Sequence, residues 1–350
     1  MLSRWTTVVV MLAVGTTGVA HAEVLRQQSS RDWDARTLTG IQVENPSGDI
    51  RVSPSRDGRV HLVALKLIRN ASAQDAERLS RETQLVADLD SGELRITVRY
   101  PTGRQIRLNV WDLMRHIQWP EFDLKLALEI PAGLGVTLKS ASGDLQTQAL
   151  TGRQQLHSSS GDVDVEGAGG PLSIDTRSGD VTVDRVARAS IGTTSGNVVV
   201  VAASEPLGVV TRSGDVRIDS ATDSVTVDTG SGEVRVGFAR RGLDARTGSG
   251  DITARAGGGV RVETSSGTTK LALMAPLQRA DLTSGSGDVT LRVAAGIECS
   301  IDAEAGSGDV EVNLPLAVRS SKDNHVIGRI GRGSSAIVIR TSSGSISVAR

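Results

Sequence analysis

Apolar and polar residues alternate in short runs along most of the chain, and the runs recur at a fixed interval. Val181 and Val183 are separated by a polar residue, which is the period of a β-strand with one buried face. A second alternating run precedes them and contains Leu172, Ile174 and Thr176. Each repeat therefore predicts two short strands.

A Ser-Gly-Asp-Val motif marks each repeat, and an isolated early copy lies at Ser47. The main array, with some substitutions, has its serines at Ser142, Ser160, Ser178, Ser195, Ser213, Ser231, Ser249, Ser266, Ser286, Ser307 and Ser343. The first seven spacings are 17 or 18 residues, an interval typical of a solenoid in which stacked coils bury a shared core. The sequence predicts an all-β fold, a parallel β-solenoid with about 18 residues and two short strands per coil.

The parity of the alternation places a corner at the Gly-Asp pair of each motif. Strict alternation from Ile174 and Thr176 would turn Asp180 inward, yet the next apolar residue is Val181. Glycine adopts positive φ freely and aspartate hydrogen-bonds its own turn, so we expect Ser178 to end the inward row and Asp180 to stabilise the corner. The predicted corner residues are Gly143, Asp144, Gly161, Asp162, Gly179, Asp180, Gly214, Asp215, Gly250, Asp251, Gly287, Asp288, Gly308 and Asp309.

A threonine lies two residues before the serine in successive repeats. The column contains Thr176, Thr193, Thr211, Thr229, Thr247 and Thr264. We expect these β-branched side chains to pack in register, with their hydroxyl groups hydrogen-bonded along the stack. The alternative, a row of nucleophiles, lacks an adjacent base because the few histidines of the chain are scattered.

Residues 1–22 have the pattern of a signal peptide. Arg4 supplies the positive charge, an apolar stretch follows, and Ala20-His21-Ala22 forms a cleavage site, so the mature chain begins at Glu23. No later apolar run is long enough to predict a transmembrane span. The single cysteine, Cys299, can form no disulfide within the chain. We expect an exported protein, most simply periplasmic, with the cell surface and secretion as alternatives.

The mature chain divides into two parts at the start of the regular repeat. Residues 23–139 predict a β-rich N-terminal capping region with one helix between Ser72 and Thr83, because open solenoid ends require capping. Residues 140–350 predict the β-solenoid repeat domain with C-terminal capping strands. A closing strand pair is expected at 336–340 and 345–348, after a long loop or hairpin.

Aromatic residues make up only 2% of the chain, and several of them cluster in one segment. Trp111, Met114, Trp119 and Phe122 lie in or beside "NVWDLMRHIQWP", which makes them the candidate contact for a partner, a glycan or a membrane surface. The alternative is that these side chains fill the core of the capping region. The formal net charge of −1 gives no electrostatic reason to expect nucleic acid as a partner.

The signal segment, the irregular β-rich start, "LEIPAGLGVTLKSASGDL" and the T-x-S-G-D-V coils together resemble the bacterial putative-adhesin family of exported domains of unknown function. The resemblance covers roughly residues 40 to 350. It implies a repeat architecture and carries over no catalytic residues. The motif departs from this pattern at Asn197, Glu233, Thr268 and Ser345, where the aspartate is replaced.

Three functions are consistent with the pattern. We favour an exported, non-enzymatic β-solenoid that acts as an adhesin-like or envelope scaffold protein, with no cofactor, and with an unknown envelope protein or polysaccharide as partner. A calcium-binding β-roll is the first alternative, although one aspartate per 18 residues is sparse for a cation that needs six to eight oxygens. A polysaccharide-cleaving β-helix enzyme is the second, although a repeated column gives every carboxylate the same surroundings.

Overall fold

The computed structural model describes residues 6–10, 23–69, 73–100 and 121–350. Within these ranges the chain is almost entirely β-sheet, and its parallel strand pairs form a β-solenoid. Its contacts divide it into two compact units, residues 1–164 and 165–350. The domain boundaries given above from the sequence stay a prediction.

Unit 1 combines solenoid coils with an irregular β-rich region. Its elements are β1 Thr6–Val10, β2 Glu23–Asp34, a 3-10 turn Ala35–Thr37, β3 Gly40–Asn45, β4 Ile50–Pro54, β5 Arg59–Arg69, α1 Ala73–Glu82, β6 Gln84–Asp90, β7 Glu93–Arg99, β8 Glu121–Ile130, β9 Gly135–Ser140, β10 Leu145–Leu150 and β11 Gln154–Ser158. The unit boundary falls within β12 Val163–Ala168.

The early motif copy at Ser47 stacks on the first copy of the main array, at Ser142. β3 pairs in parallel register with β9, and β4 pairs with β10, so that Ile50 lies beside Leu145. In the sequence, residues 55–134 separate this first coil from the β9/β10 coil on which it stacks. On the other side of this first coil, β7 pairs in parallel with β3, and β8 pairs with β4. The interruption seen in the sequence thus supplies a further coil.

Antiparallel strands border the β7/β8 coil. β5 pairs antiparallel with both β8 and β2, β1 pairs antiparallel with β2, and β6 pairs antiparallel with β7. A parallel coil leaves a row of unpaired backbone groups at its open edge, and these strands pair with that row.

The predicted helix forms as α1 and lies against β2 and β5. Ala76 is buried with Leu25 and Ile68. The ammonium group of Lys66 on β5 donates to the carbonyl oxygens of Ser80 (2.8 Å) and Thr83 (2.9 Å). These carbonyls at the helix C-terminus lack partners within the helix, so Lys66 both caps α1 and ties it to the sheet.

Unit 2 is a regular array of coils. Its strands are β13 Leu172–Ser178, β14 Val181–Val186, β15 Ala189–Ser195, β16 Val198–Ala203, β17 Leu207–Ser213, β18 Val216–Ala221, β19 Ser224–Ser231, β20 Val234–Ala239, β21 Gly242–Ser249, β22 Ile252–Ser266, β23 Thr269–Ser286, β24 Val289–Val293, β25 Cys299–Ser307, β26 Val310–Val312, β27 Ala317–Lys322, β28 His325–Arg329, β29 Ser335–Ser343 and β30 Ile346–Ala349. β22 and β23 each provide the second strand of one coil and the first strand of the next.

Each coil of unit 2 stacks on the next with equivalent residues in register. Val181, Val198 and Val216 are direct neighbours in one buried column. Thr176 and Thr193 are neighbours in another. The core therefore consists of columns of one small aliphatic or β-branched side chain repeated along the stack, which is why the chain needs almost no aromatic residues.

The last strands of the sequence do not occupy the last place in the stack. β29 pairs in parallel with β23 on one side and with β25 on the other, while β30 lies between β24 and β26. The predicted closing strand pair thus forms, but it lies between two coils that precede it in the sequence. The hairpin of β27 and β28 then covers β25 by antiparallel pairing.

Backbone groups approach one another closely where the corners stack. Gly287 has φ +137°, and a Cβ atom placed on it would lie 2.1 Å from the carbonyl oxygen of Gly267 in the adjacent coil. Glycine is therefore required at this corner for two reasons, because another residue would be strained in φ and would also collide with the backbone. Only the first of these reasons was predictable from the sequence.

We expect Gly287→Ala to lower the free energy of unfolding by about 2 kcal/mol or more, because it combines positive-φ strain with the collision. Gly208→Ala on β17 is the matched control, since nothing lies within 4 Å of its Cβ position. The control should change stability by less than about 1 kcal/mol. Urea unfolding of both variants, followed by circular dichroism, measures the difference. Equal midpoints would contradict the close approach at the corner.

Candidate functional site

The Ser-Gly-Asp column is the most regular feature on the surface of each unit. In every repeat the first strand ends at or before the serine and the second begins after the aspartate position, as at Ser178 and Val181. All fourteen corner residues named from the sequence lie between the two strands of a coil. The aspartates of this column are exposed, so they line one edge of the stack.

Most of the corner aspartates accept a hydrogen bond from the next coil. Asp215 Oδ1 accepts from the backbone N–H of Glu233 at 2.8 Å, and Asp251 Oδ1 accepts from that of Thr268 at 2.8 Å. In unit 1, Asp144 accepts in the same way from Asp162 at 3.0 Å. The expectation that the carboxylate bonds its own turn is wrong, because the neighbouring corner N–H lies in register with it.

Aspartate alternates with other residues once the corners are taken in their spatial order. Because β29 and β30 lie before β25 and β26, the column in unit 2 is Asp180, Asn197, Asp215, Glu233, Asp251, Thr268, Asp288, Ser345 and Asp309. Neighbouring coils are only about 4.8 Å apart, so alternation limits repulsion between carboxylates. Glu233 is the exception, because it places a carboxylate between Asp215 and Asp251. Its carboxylate lies 2.6 Å from the guanidinium group of Arg235.

Asparagine can replace aspartate in this column because it keeps the acceptor oxygen. Asn197 Oδ1 accepts from the N–H of Asp215 at 3.1 Å, and Asn197 itself donates its backbone N–H to Asp180 Oδ1 at 2.8 Å. The hydrogen bond between corners therefore does not depend on a negative charge at this position.

The serine and threonine columns differ from expectation in detail. Ser178 and its equivalents are exposed, so the inward row ends at the threonine two residues earlier. The threonines are buried and in register, but the hydroxyl groups of Thr176, Thr193, Thr211, Thr247 and Thr264 have no hydrogen-bond partner within the described ranges. Packing of β-branched side chains therefore holds this column, and the predicted hydroxyl ladder is wrong.

Of the four candidate partner-binding residues, only Phe122 belongs to the described chain. Trp111, Met114 and Trp119 lie outside the described residues. Phe122 on β8 is half-buried, packs against the cluster of Leu25, Ile68 and Ala76, and meets the ring of Tyr100 edge-on at 5.6 Å. Phe122 is thus a packing residue of unit 1.

Tyr100 and Asn45 connect Phe122 to the corner at Ser47 and Gly48 through hydrogen bonds. The Tyr100 hydroxyl donates to Asn45 Oδ1 and to the carbonyl oxygen of Ser47. Asn45 is fully buried, and its amide donates to the carbonyls of Leu124 (2.7 Å) and Gly48 (3.0 Å). Burial, and next the negative charge of Asp123, raise the pKa of Tyr100. This network could not be predicted from the sequence, because its members are far apart along the chain.

Two histidines lie beside carboxylates, one histidine in each unit. In unit 1, His61 Nδ1 lies 2.9 Å from Asp32 Oδ1 and its Nε2 lies 3.0 Å from Asp57 Oδ2. Its hydrogen bonds to Asp32 and then to Asp57 raise the pKa of His61. In unit 2, His325 Nε2 lies 2.9 Å from Asp302 Oδ1.

From β21 onward, the outer surface of the first strands in unit 2 carries alternating, paired charges. Arg246 contacts Asp244 at 2.8 Å and Glu263 at 3.1 Å, and Glu263 also contacts Arg261 at 2.5 Å. Hydrogen bonds from Arg261 lower the pKa of Glu263, which keeps this carboxylate ionised. We name this surface, which also includes Arg279, Asp281, Asp302, Glu304 and Arg340, the paired face.

The described residues offer little that is typical of a catalytic or metal site. Among them, no group of three or more His, Cys, Asp or Glu side chains is placed to hold a metal ion. The cavities of unit 2 are open grooves on strand faces, such as one of 430 Å³ beside Asp244 and Arg261. No helix of the described ranges is both long and apolar enough to cross a bilayer. Cys299 is a free, buried thiol.

A family model described as Toastrack DUF4097 matches residues 70–270 and 256–349. No curated protein matches the chain in sequence. The residues matched by the family model include every coil of unit 2.

Solved structures resemble the chain at low identity. A "putative adhesin" from Parabacteroides distasonis is 11% identical with a TM-score of 0.39, covering 92% of this chain and 96% of its own. A "putative cell adhesion protein" from Clostridium sporogenes is 10% identical with a TM-score of 0.23, covering 93% and 99%. A "putative lipid binding protein" from Parabacteroides distasonis is 14% identical with a TM-score of 0.29, covering 91% and 96%.

Replacing Asp215 tests the hydrogen bond between corners. We expect Asp215→Ala to lower the free energy of unfolding by about 0.5–1.5 kcal/mol, because the N–H of Glu233 loses its acceptor. Asp215→Asn keeps an acceptor oxygen, as Asn197 does, and should lie within about 0.5 kcal/mol of the unchanged protein. Urea unfolding measures both, and equal losses in the two variants would show that charge is what matters.

Calcium provides the control for the same column. With the corner oxygens bonded to backbone N–H groups, the melting temperature should be the same in EDTA and in millimolar calcium. A clear rise in calcium would instead support the β-roll alternative.

The His61 cluster should make stability depend on pH. The raised pKa of His61 means that its contribution is fully present below the unfolded-state value of about 6.5 and is lost as pH rises through the folded-state value. The hydrogen bond from His61 lowers the pKa of Asp57. The contribution of Asp57 to stability is therefore lost as pH falls through the folded-state pKa of Asp57. We expect His61→Ala to destabilise most between about pH 4 and 6.5, and less above that range.

Proton NMR titration checks the cause directly. The pKa of His61 should lie above 6.5 in the unchanged protein and fall in Asp32→Asn, more than in Asp57→Asn. An unshifted value in the unchanged protein would remove the basis of the predicted pH dependence.

Proposed function

The chain belongs to the Toastrack DUF4097 family, and on that premise we propose that it is an exported, non-enzymatic β-solenoid of the bacterial envelope. In this role it presents a regular surface for binding, as an adhesin-like or scaffold protein. The observation that carries the proposal is the in-register stacking of equivalent corners, which gives a rigid periodic surface rather than one differentiated pocket.

The chemistry of the described side chains supports a non-enzymatic role. A general acid at neutral pH needs a carboxyl group with a raised pKa. Instead, hydrogen bonds from His61 lower the pKa of Asp57, and hydrogen bonds from Arg340 lower that of Asp302. These carboxylates are ionised members of structural clusters. The exposed corner serines likewise gain no activating base from the repeated column.

Two parts of the sequence support export and partner contact. Residues 1–22 have the signal-peptide pattern, which places the mature N-terminus at Glu23. Trp111 and Trp119, with Met114, remain our proposed partner contact, because aromatic side chains are among the commonest binding anchors. Phe122 joins them in sequence but contributes packing.

Site-specific photo-crosslinking in intact cells tests the proposal. A crosslinking amino acid placed at Val210, which is 57% exposed on β17, should give a discrete adduct with an envelope component. The matched position is Val209, fully buried on the same strand, which should give none. Fractionation should find the protein outside the cytoplasm with Glu23 as its first residue.

Variants of the aromatic segment separate contact from packing. Trp111→Ala/Trp119→Ala should keep its circular dichroism spectrum and lose the adduct if the tryptophans contact the partner. A cytoplasmic, uncleaved protein, or the absence of adducts from every exposed position, would contradict the proposed function.

A further inference from the structure

The second strands of the unit 2 coils carry cations on their outer surface. β18, β20, the first part of β22, the first part of β23, and β24 lie side by side in parallel register. Their outward positions form two columns: Arg217, Arg235, Thr253, Lys270 and Thr290 in one, and Asp219, Gly237, Arg255, Ala272 and Arg292 in the other. We name Arg217, Arg235, Arg255, Lys270 and Arg292 the cationic face.

Most of these cations are not neutralised by the fold. Arg217 pairs with Asp219 at 2.8 Å, and Arg235 pairs with the corner residue Glu233. Arg255, Lys270 and Arg292, which are exposed on three consecutive coils, form no ion pair with any residue that the structure describes. Moreover, Arg217 and Arg235 are direct neighbours in register, an arrangement of like charges that costs stability.

The paired face of the same coils shows that this arrangement is not a general property of the surface. There, Arg246, Arg261 and Arg279 each contact an acidic side chain within 3.2 Å. A surface that only keeps the protein soluble would be expected to mix its charges in the same way on both faces. The cationic face instead leaves positive charge available to a ligand.

The shape of the cationic face suits an elongated ligand. An open groove of 320 Å³ is lined by Arg217, Asp219, Arg235, Gly237, Thr253 and Arg255. At its floor, a Cβ atom on Gly237 would lie 2.3 Å from the carbonyl oxygen of Asp219, so no side chain can fill this position. Thr253 and Ala272 are also short, so the cations of the two columns stand among shorter side chains.

We propose that the cationic face binds a linear acidic polysaccharide, whose carboxylate groups pair with Arg255, Lys270 and Arg292. The proposal rests on the proposed function, since it names the class of envelope partner. The cations recur at multiples of the strand spacing of about 4.8 Å, which favours a polymer of repeated charges over a single small anion.

The residues of the groove disfavour other anionic partners. The cationic face has no aromatic side chain on which nucleic-acid bases could stack. It also has no large apolar anchor, which a protein partner or the acyl region of a lipid bilayer would require. A flat, polar floor between cations remains suited to sugar rings that carry carboxylates.

Binding of the purified protein to polygalacturonate, measured by calorimetry at low and high salt, tests the proposal. We expect binding that weakens as salt rises and no binding of neutral dextran. The variant Arg255→Gln/Lys270→Gln/Arg292→Gln should bind about tenfold more weakly or worse. The matched control is Arg246→Gln/Arg261→Gln/Arg279→Gln, which removes the same charge from the paired face and should keep its affinity. Melting temperatures of both variants confirm that they are folded.

Several results would overturn the proposal. These are no binding of polygalacturonate, equal losses in the two variants, equal binding of dextran, or tighter binding of DNA or of anionic lipid vesicles through the same three side chains. If polygalacturonate fails while Val210 still gives envelope adducts, the glycan is wrong and the proposed function stands. If the adducts are absent, the proposed function fails whatever polygalacturonate does.

Discussion

In-register stacking of parallel coils at the strand spacing is the constraint on which the other features depend. Because each residue lies beside its equivalent in the next coil, every position along the repeat must tolerate a copy of itself about 4.8 Å away. Aliphatic and threonine side chains satisfy this condition in the core by packing in columns. At the corner the backbones come so close that Gly287 has no room for a Cβ atom.

The same constraint explains the chemistry of the corner. A carboxylate beside a carboxylate is unfavourable, whereas a carboxylate beside a backbone N–H is favourable. In unit 2, Asp288 meets both conditions, since it lies between Thr268 and Ser345 and accepts from the latter's N–H. The repeated aspartates of unit 2 thus have a structural role in stacking, although the column resembles a cation-binding or catalytic site. The surface better suited to a charged ligand is one whose side chains form few ion pairs within the protein, such as the cationic face.

Much of the fold was predictable from the sequence because the repeat is periodic. Two strands per coil and a corner between them were predictable from three local features. These are the spacing of the serines, the one-residue shift in the alternation at Val181, and the turn residues. The helix α1 followed from its apolar face. These features depend on local pattern, which a single sequence contains.

Other features depend on which distant segments pair, and the pattern does not contain that information. The alternating residues of β24 could pair equally well with those of β30 or with those of β26. Nothing in the sequence therefore indicated that β30 would lie between β24 and β26. The donor of the aspartate hydrogen bond was mispredicted for a related reason. A backbone N–H group is available both in the aspartate's own turn and in the neighbouring coil, and the sequence does not distinguish the two. The cationic face was also invisible, because its members approach one another only across coils.

The place of β29 and β30 has a consequence for how the protein can be made. During synthesis on the ribosome, the coils of unit 2 up to β24 can assemble one after another, because each one follows its neighbour in the sequence. The β25/β26 coil has no such neighbour, because its partners are residues 335–349, which are synthesised after it. This part of the array is therefore completed in the reverse order, and a ribosome that stalls after Val312 leaves a nascent chain whose last coil is unpaired.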